Sequence, residues 1–344
     1  MTDPKPDLKS LIAKVAERAD LAEAEAERAF DVMMSGEASP AQIGAFLMGL
    51  RVKGETVGEI TGAARAMRGK MTTISAPDGA MDVVGTGGDG AGTYNVSTAA
   101  AIVVAGCGVP VAKHGNRAFS SKSGAADVLA ALGLDLQAEP ARVEQAVRTA
   151  GIGFLMAPIY HSAMRHVGPT RAELGIRTVF NILGPLCNPA GVRRLMVGTF
   201  DVRWTEPMAQ VLGNLGAERA WVVHGHGGLD EMTTTGPTEV AELRDGKVRR
   251  FTVTPEDAGL PRTTMEHLRG GDPKYNADAI RALLGGKRTP YRDIVLLNAG
   301  AALVVAGQAA DLRDGVARAA VSIDEGKAAA ALAKLVETVG AVPA

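Results

Sequence analysis

Two polar stretches of the 344-residue chain carry side chains suited to chemistry. The first, GTGGDG at 85–90, sets four glycines around the single carboxylate of Asp89. The second, KHGNR at 113–117, brings the cations Lys113 and Arg117 beside the neutral amide of Asn116. Glycines let backbone N–H groups approach phosphate oxygens, and a following helix start adds partial positive charge. Asp89 would repel a bare phosphate. A divalent cation between carboxylate and pyrophosphate removes that conflict, and so does a sugar hydroxyl donating to Asp89. Asn116 offers donors and an acceptor, while Lys113 and Arg117 offer fixed charge. Together the loops read as a site for a phosphorylated sugar with a metal.

A dinucleotide site is the competing reading, because Gly85, Gly87 and Gly90 fit G-x-G-x-x-G. That site asks for an acidic residue at the end of the next strand to hold a ribose, and Lys113-His114 stands there instead. Asp230-Glu231 follows another strand at a glycine-rich turn. Adjacent loop carboxylates are usually solvated, but a site that must hold metal against pyrophosphate makes them candidate ligands. His224 and His226 flank a glycine and lack a third nearby ligand, so no zinc site is read there. Arg171 has the planar fork that suits a carboxylate, with an ion pair to Glu173 as the alternative. Ser121, Lys122 and Ser123 suit a sugar phosphate, His114 shapes its loop, and His161 is placed to line an acceptor pocket.

These side chains need a frame. Apolar runs at 81–84 and 109–112 read as buried strands, and the small, apolar 98–105 as a helix capped by Ser97. Strand, glycine loop, helix, strand and polar loop make a βαβ unit. Both loops then leave the same ends of parallel strands, where open α/β sheets bind ligands. Upstream, 8–70 reads as four helices. The first repeats Leu8, Leu11, Ile12 and Val15. The second starts at Asp20 with Glu23, the third at Ser39-Pro40 with Gln42, and the fourth at Thr56 with Glu59. Downstream, helices are expected at 123–132 and 140–150, a strand at 153–156, and a helical stretch carrying Arg165, His166 and Arg171. The segment 175–189 reads as a crossing back between domains. Strands at 195–200 and 220–223 flank a helix at 205–215, and 237–262 reads as irregular β structure. Helices return at 276–284, at 294–305, and after a cap of Ser322 with Glu325. The fold class is therefore α/β. A small N-terminal all-helical domain, 1–72, is completed by a segment within 170–190. A large α/β domain, 73–344, holds a central, mostly parallel sheet flanked by helices.

A net charge of −1 and 4% aromatic residues argue against a nucleic-acid partner. The longest uncharged run, 90–112, is broken by Tyr94, Asn95, glycines and Pro110, so no membrane span or membrane partner is expected. The start, MTDPKPDLKS, has no apolar core of a secretory signal. Cys107 and Cys187 give no disulfide framework, which points to a reducing, cytoplasmic setting.

Three motifs, GTGGDGAGTYNVST, KHGNRAFSSKSGAADVLAALG and LGIRTVFNILGPLCNP, occur in an order that resembles the anthranilate phosphoribosyltransferases of tryptophan biosynthesis. The resemblance runs over nearly the whole chain. It implies transfer of a phosphoribosyl group from 5-phosphoribosyl 1-pyrophosphate (PRPP) to anthranilate, with release of pyrophosphate. It also implies PRPP contacts from Gly85, Gly88, Asp89, Thr93, Asn95, Val96, Ser97, Thr98, Lys113, Asn116, Ser121 and Ala125. Gly85, Asn116 and Arg171 would meet anthranilate. Ser97, Asp230 and Glu231 would hold two Mg²⁺ ions, and Lys113 and Asp89 would tune transition-state charge. The helical domain would form a homodimer. Two departures stand out: Ser162 where the family usually has proline, and Ala125 where serine is common. A nucleoside phosphorylase-like enzyme and a non-catalytic nucleic-acid-binding relative are the alternatives. The first needs no paired Mg²⁺ and the second wants a basic, aromatic groove.

Overall fold

The structure, a computed structural model, describes residues 7–117 and 122–340. Four helices come first: α1 (Leu8–Ala16), α2 (Glu23–Met34), α3 (Pro40–Lys53) and α4 (Val57–Gly69). Ser39 with Gln42 and Thr56 with Glu59 box the starts of α3 and α4, as expected. The start of α2 lies later than the Asp20 reading. Ala22 is its N-cap, and the Glu25 carboxylate accepts from Ala22 N–H at 2.8 Å. Asp20 instead pairs with Lys53 at 2.7 Å. Lys53 also reaches Glu59 at 3.0 Å. Phe30 meets Phe46 edge-on at 5.8 Å and Phe180 at 5.5 Å, which ties the helical unit to the chain around 180. Arg68 Nε donates to the Leu186 carbonyl at 2.8 Å across the same seam.

The α/β part begins with β1 (Met81–Gly85), α5 (Val96–Gly106), β2 (Val111–Gly115), α6 (Ala125–Ala131), α7 (Pro140–Thr149) and β3 (Ile152–Met156). Short helices α8 (Ala157–Tyr160), α9 (Gly168–Leu174) and α10 (Phe180–Leu183) lead back to β4 (Arg194–Gly198), α11 (Thr205–Asn214) and β5 (Arg219–Gly225). A hairpin of β6 (Thr238–Arg244) and β7 (Lys247–Val253) precedes α12 (Pro273–Leu284), α13 (Pro290–Ala306), α14 (Leu312–Asp324) and α15 (Lys327–Val339).

The seven strands lie in the order β3-β2-β1-β4-β5-β6-β7. Neighbours from β3 to β5 are parallel, and the hairpin is antiparallel. The apolar α13 is buried nearly all round and fills the core behind the sheet. Strand order reverses between β1 and β4, where Gly85 lies opposite Gly198. That switch point opens the crevice in which such sheets hold ligands.

The hairpin corrects the irregular reading of 237–262. Asp245 and Gly246 both adopt positive φ, 52° and 73°, the two-residue turn that matches strand twist. Its outer strand exposes Lys247, Arg249 and Arg250. Ser322 is no cap either. It sits inside α14, and its hydroxyl donates to the Val103 carbonyl at 2.9 Å, while Gly326, with φ 73°, is the N-cap of α15. No helix among the described residues is long and apolar enough to cross a membrane.

Candidate active site

The glycine loop leaves β1 and is pinned from several sides. Thr86 N–H donates to the Gly198 carbonyl at 2.9 Å, and Thr86 Oγ1 accepts from Phe200 N–H at 3.1 Å. Gly87 N–H donates to Asp230 Oδ2 at 2.6 Å. A Cβ at Gly85 or Gly198 would run into Asp230, so glycine at both strand ends lets Asp230-Glu231 fold down onto the crevice. Ser97 proves not to cap α5. Asn95 is the N-cap and makes no side-chain cap bond to the helix, while Ser97 N–H donates to Glu231 Oε1 at 3.0 Å.

Asp230 and Glu231 are thus brought to the glycine loop as the sequence suggested, and not as solvated loop charges. Loss of hydration and the facing Asp89 push Asp230 up to about 7. Loss of hydration and the two neighbouring aspartates raise Glu231 well above the usual carboxylate range. Its Oε2 is buried without a hydrogen-bond partner. Such a surplus of oxygen donors and negative charge fits a hard divalent cation. Among the described residues no three His, Cys, Asp or Glu side chains form a closed metal cage. His224 Nδ1 lies 2.7 Å from the Thr199 carbonyl and His226 is exposed.

The second loop departs from expectation in one respect. β2 runs through Gly115, so Lys113 and His114 lie on the strand and not on a loop. Lys113 is 2% exposed and its Nζ donates to the Val83 carbonyl at 2.6 Å. Burial lowers its pKa, while Asp82, Glu231 and Asp230 oppose the shift. Arg117 is held by Asp127 at 2.9 Å. Asn116 Oδ1 accepts from Arg117 N–H at 2.8 Å, which leaves its NH₂ available to a ligand. Ser121 lies outside the described residues.

The remaining candidates are mixed. Gly88 offers its carbonyl to Arg177, and Arg177 lies 4.2 Å over the Phe200 ring. Thr93 bridges Arg269 through its backbone. Val96 and Thr98 point into the core, the Thr98 hydroxyl unpartnered, and Ala125 opens α6. Arg171 makes no ion pair with Glu173 and lies 4.9 Å over the Phe180 ring. Beside that segment His114 and His161 stand 5.0 Å apart, with both His161 ring nitrogens and His114 Nε2 unpartnered.

Sequence reasoning missed the buried supports. Asp82 accepts from His114 N–H at 3.1 Å and from Asn188 Nδ2 at 2.7 Å, and burial pushes its carboxyl up to about 6. Asn298 on α13 bonds both Met232 N–H (3.0 Å) and the Met232 carbonyl (2.8 Å), fixing the backbone next to Glu231. The signal available was a lone polar residue inside an apolar run in each case.

Comparison with known proteins agrees with this geometry. The pattern of the glycosyl transferase family, a/b domain, matches residues 77–329, and that of the family's helical bundle domain matches 9–71. An anthranilate phosphoribosyltransferase of Rhodospirillum rubrum is 64% identical over 97% of this chain and 96% of its own. One from Rhodopseudomonas palustris strain BisA53 is 63% identical over 96% and 97%. The Thermus thermophilus enzyme superposes with a TM-score of 0.91 at 45% identity, covering 95% of this chain and 98% of that one. The Saccharomyces cerevisiae enzyme, solved with PRPP and Mg, superposes at 0.88 and 30% identity over 96% and 97%. The chain belongs to the anthranilate phosphoribosyltransferase family.

Proposed function

We propose that the crevice between β1 and β4 transfers the phosphoribosyl group of PRPP to the amino nitrogen of anthranilate, giving N-(5-phosphoribosyl)anthranilate and pyrophosphate in tryptophan biosynthesis. The observation that carries this reading is the Asp230-Glu231 pair folded onto the glycine loop, with Glu231 Oε2 left without a partner. A phosphorylase has no use for a carboxylate surplus beside its phosphate.

The aromatic amine is neutral at pH 7 and attacks the anomeric carbon without prior deprotonation. The C–O bond to pyrophosphate breaks as the C–N bond forms, with positive charge building on the sugar, and the nitrogen then gives up one proton to the released pyrophosphate or to water. The work of the chain is positioning and electrostatics. Arg171 holds the anthranilate carboxylate, with the Asn116 NH₂ and the Gly85 backbone beside it. The loop from Gly85 through Gly88, Asp89, Thr93 and Asn95 to Val96, Ser97 and Thr98 cradles PRPP, with Ala125 and Ser121 on the far side. Lys113 offsets the carboxylate charge from below. Ser97, Asp230 and Glu231 would hold Mg²⁺, two ions per subunit, which neutralises pyrophosphate oxygens when bound. The helical unit 1–72 pairs two subunits in a cytoplasmic homodimer. A segment within 170–190 completes that unit, a reading supported by the Phe30–Phe180 and Arg68–Leu186 contacts.

The test is anthranilate fluorescence in the presence of PRPP and Mg²⁺, each omitted in turn. Consumption is expected only with all three. Arg171→Ala is expected to raise KM for anthranilate about tenfold or more. Consumption without PRPP, or Mg²⁺-independent cleavage of a nucleoside by phosphate, would overturn the reading.

A further inference from the structure

A segment far along the chain grips the glycine loop from outside. Tyr94 N–H donates to the Leu268 carbonyl at 3.1 Å and Gly270 N–H to the Gly92 carbonyl at 2.9 Å, while Thr93 and Arg269 pair in an antiparallel bridge. A Cβ at Gly270 would lie 2.5 Å from the Thr93 carbonyl oxygen, so this approach requires glycine. α12 then begins at its N-cap, Asp272, and one turn in, Asn276 points back at the loop with only 1% of its surface exposed.

The Asn276 amide is engaged at both its oxygen and its nitrogen. Its Oδ1 accepts from Gly271 N–H at 2.8 Å and its Nδ2 donates to Asn95 Oδ1 at 2.9 Å. Asn95 Oδ1 accepts a second bond from the Ser123 hydroxyl at 3.2 Å, and Asn95 Nδ2 donates to the Ser123 carbonyl at 3.1 Å. Three segments distant in sequence therefore share one amide network: the end of the first loop, the end of the second loop, and α12. Only one orientation of the Asn95 amide satisfies it. A flip would set NH₂ against the NH₂ of Asn276 and oxygen against the Ser123 carbonyl. Tyr94, stacked on Tyr291 at 4.3 Å and Tyr275 at 5.8 Å, braces the same junction.

We infer that Asn276 is a positioning residue for phosphoribosyl transfer: its NH₂ fixes the Asn95 amide, and through Asn95 the spacing of the two loops that hold the sugar pyrophosphate. The inference rests on the function proposed above and adds a residue outside the substrate contacts.

Asn276→Asp keeps the shape and the acceptor for Gly271 and puts a carboxylate oxygen in place of the NH₂ donor to Asn95. Initial rates with each substrate varied, at saturating Mg²⁺, should show KM for PRPP raised about tenfold and KM for anthranilate within about twofold. The melting temperature is measured alongside. Asn276→Ala should shift KM for PRPP in the same direction and serves if the aspartate variant folds poorly. The double variant Asn95→Ala/Asn276→Ala should be no worse than Asn95→Ala alone, because Asn276 acts through Asn95. Equal rises in both KM values, additive effects in the double variant, or an unchanged KM for PRPP in folded Asn276→Asp would overturn the inference. An inactive wild type would overturn the function itself, and the inference with it. An active wild type with unshifted variants removes the inference alone.

Discussion

Glu59 in the helical unit and Glu231 in the crevice both take a carboxylate out of water, and their surroundings differ. Glu59, 1% exposed, accepts from Leu21 N–H at 2.9 Å, Thr56 N–H at 2.8 Å and Lys53 Nζ at 3.0 Å. Its charge is matched and both oxygens are occupied. Glu231 receives one bond, from Ser97 N–H, and faces two further carboxylates. The first arrangement is complete in itself and ties α2, α3 and α4 together. The second holds a surplus that only a ligand can complete. Buried charge alone therefore does not mark a site; unmatched buried charge does.

Glu231→Gln should produce the largest effect, a fall in kcat of about a hundredfold, because it removes charge where the departing pyrophosphate must be neutralised. The same change should leave urea stability of the metal-free protein equal or higher, since like-charge repulsion is relieved. A matching loss of stability would erase the contrast. Glu59→Ala should do the converse. Breaking a matched buried pair is expected to cost about 3 kcal/mol in urea unfolding, with kcat of the remaining folded protein within about twofold. A drop in kcat at unchanged stability would show that the helical cluster feeds the site.

The buried histidines stand between these cases: His161 has neither ring nitrogen partnered, and His114 has only Nδ1 paired, with the Gly184 carbonyl at 3.1 Å. Burial pushes His114 down to about 3 and His161 to about 4. The unfolded chain then binds more protons than the folded one below about pH 6.5. Stability from this pair is intact above that pH and is lost as pH falls toward 4. His161→Phe should flatten the decline by at most about 1.4 kcal/mol per pH unit, read from urea midpoints at stepped pH. An unchanged slope would assign the acid sensitivity to the carboxylates.

Much of this was legible beforehand. Glycine spacing, the capping boxes of α3 and α4, and the alternation of apolar runs with helical periods marked the frame, because each is a local property. The carboxylate pair at 230–231 was legible as a candidate but not as unmatched, since its donors come from the glycine loop and α5, over a hundred residues away in the chain. The partners of Asn276 and Asn298 were out of reach for the same reason, although Asn298 stands out as a lone polar residue in an apolar run. Nothing within their own helices says that one faces Asn95 and the other Met232. Lys113 was misplaced because β2 starts two residues later and runs three further than its apolar run. The polar Lys113 and His114 are accepted in the strand through the Val83 carbonyl, Asp82 and Gly184.

The sheet also ends differently at its two sides. β3 is buried along its whole length, whereas β7 lies at the open margin and presents Lys247, Arg249 and Arg250. A second molecule offering its own β7 would bring cations against cations at strand spacing, which disfavours growth of the sheet by strand addition at this edge, although Arg249 and Arg250 each have a carboxylate, Glu242 and Glu206, beside them.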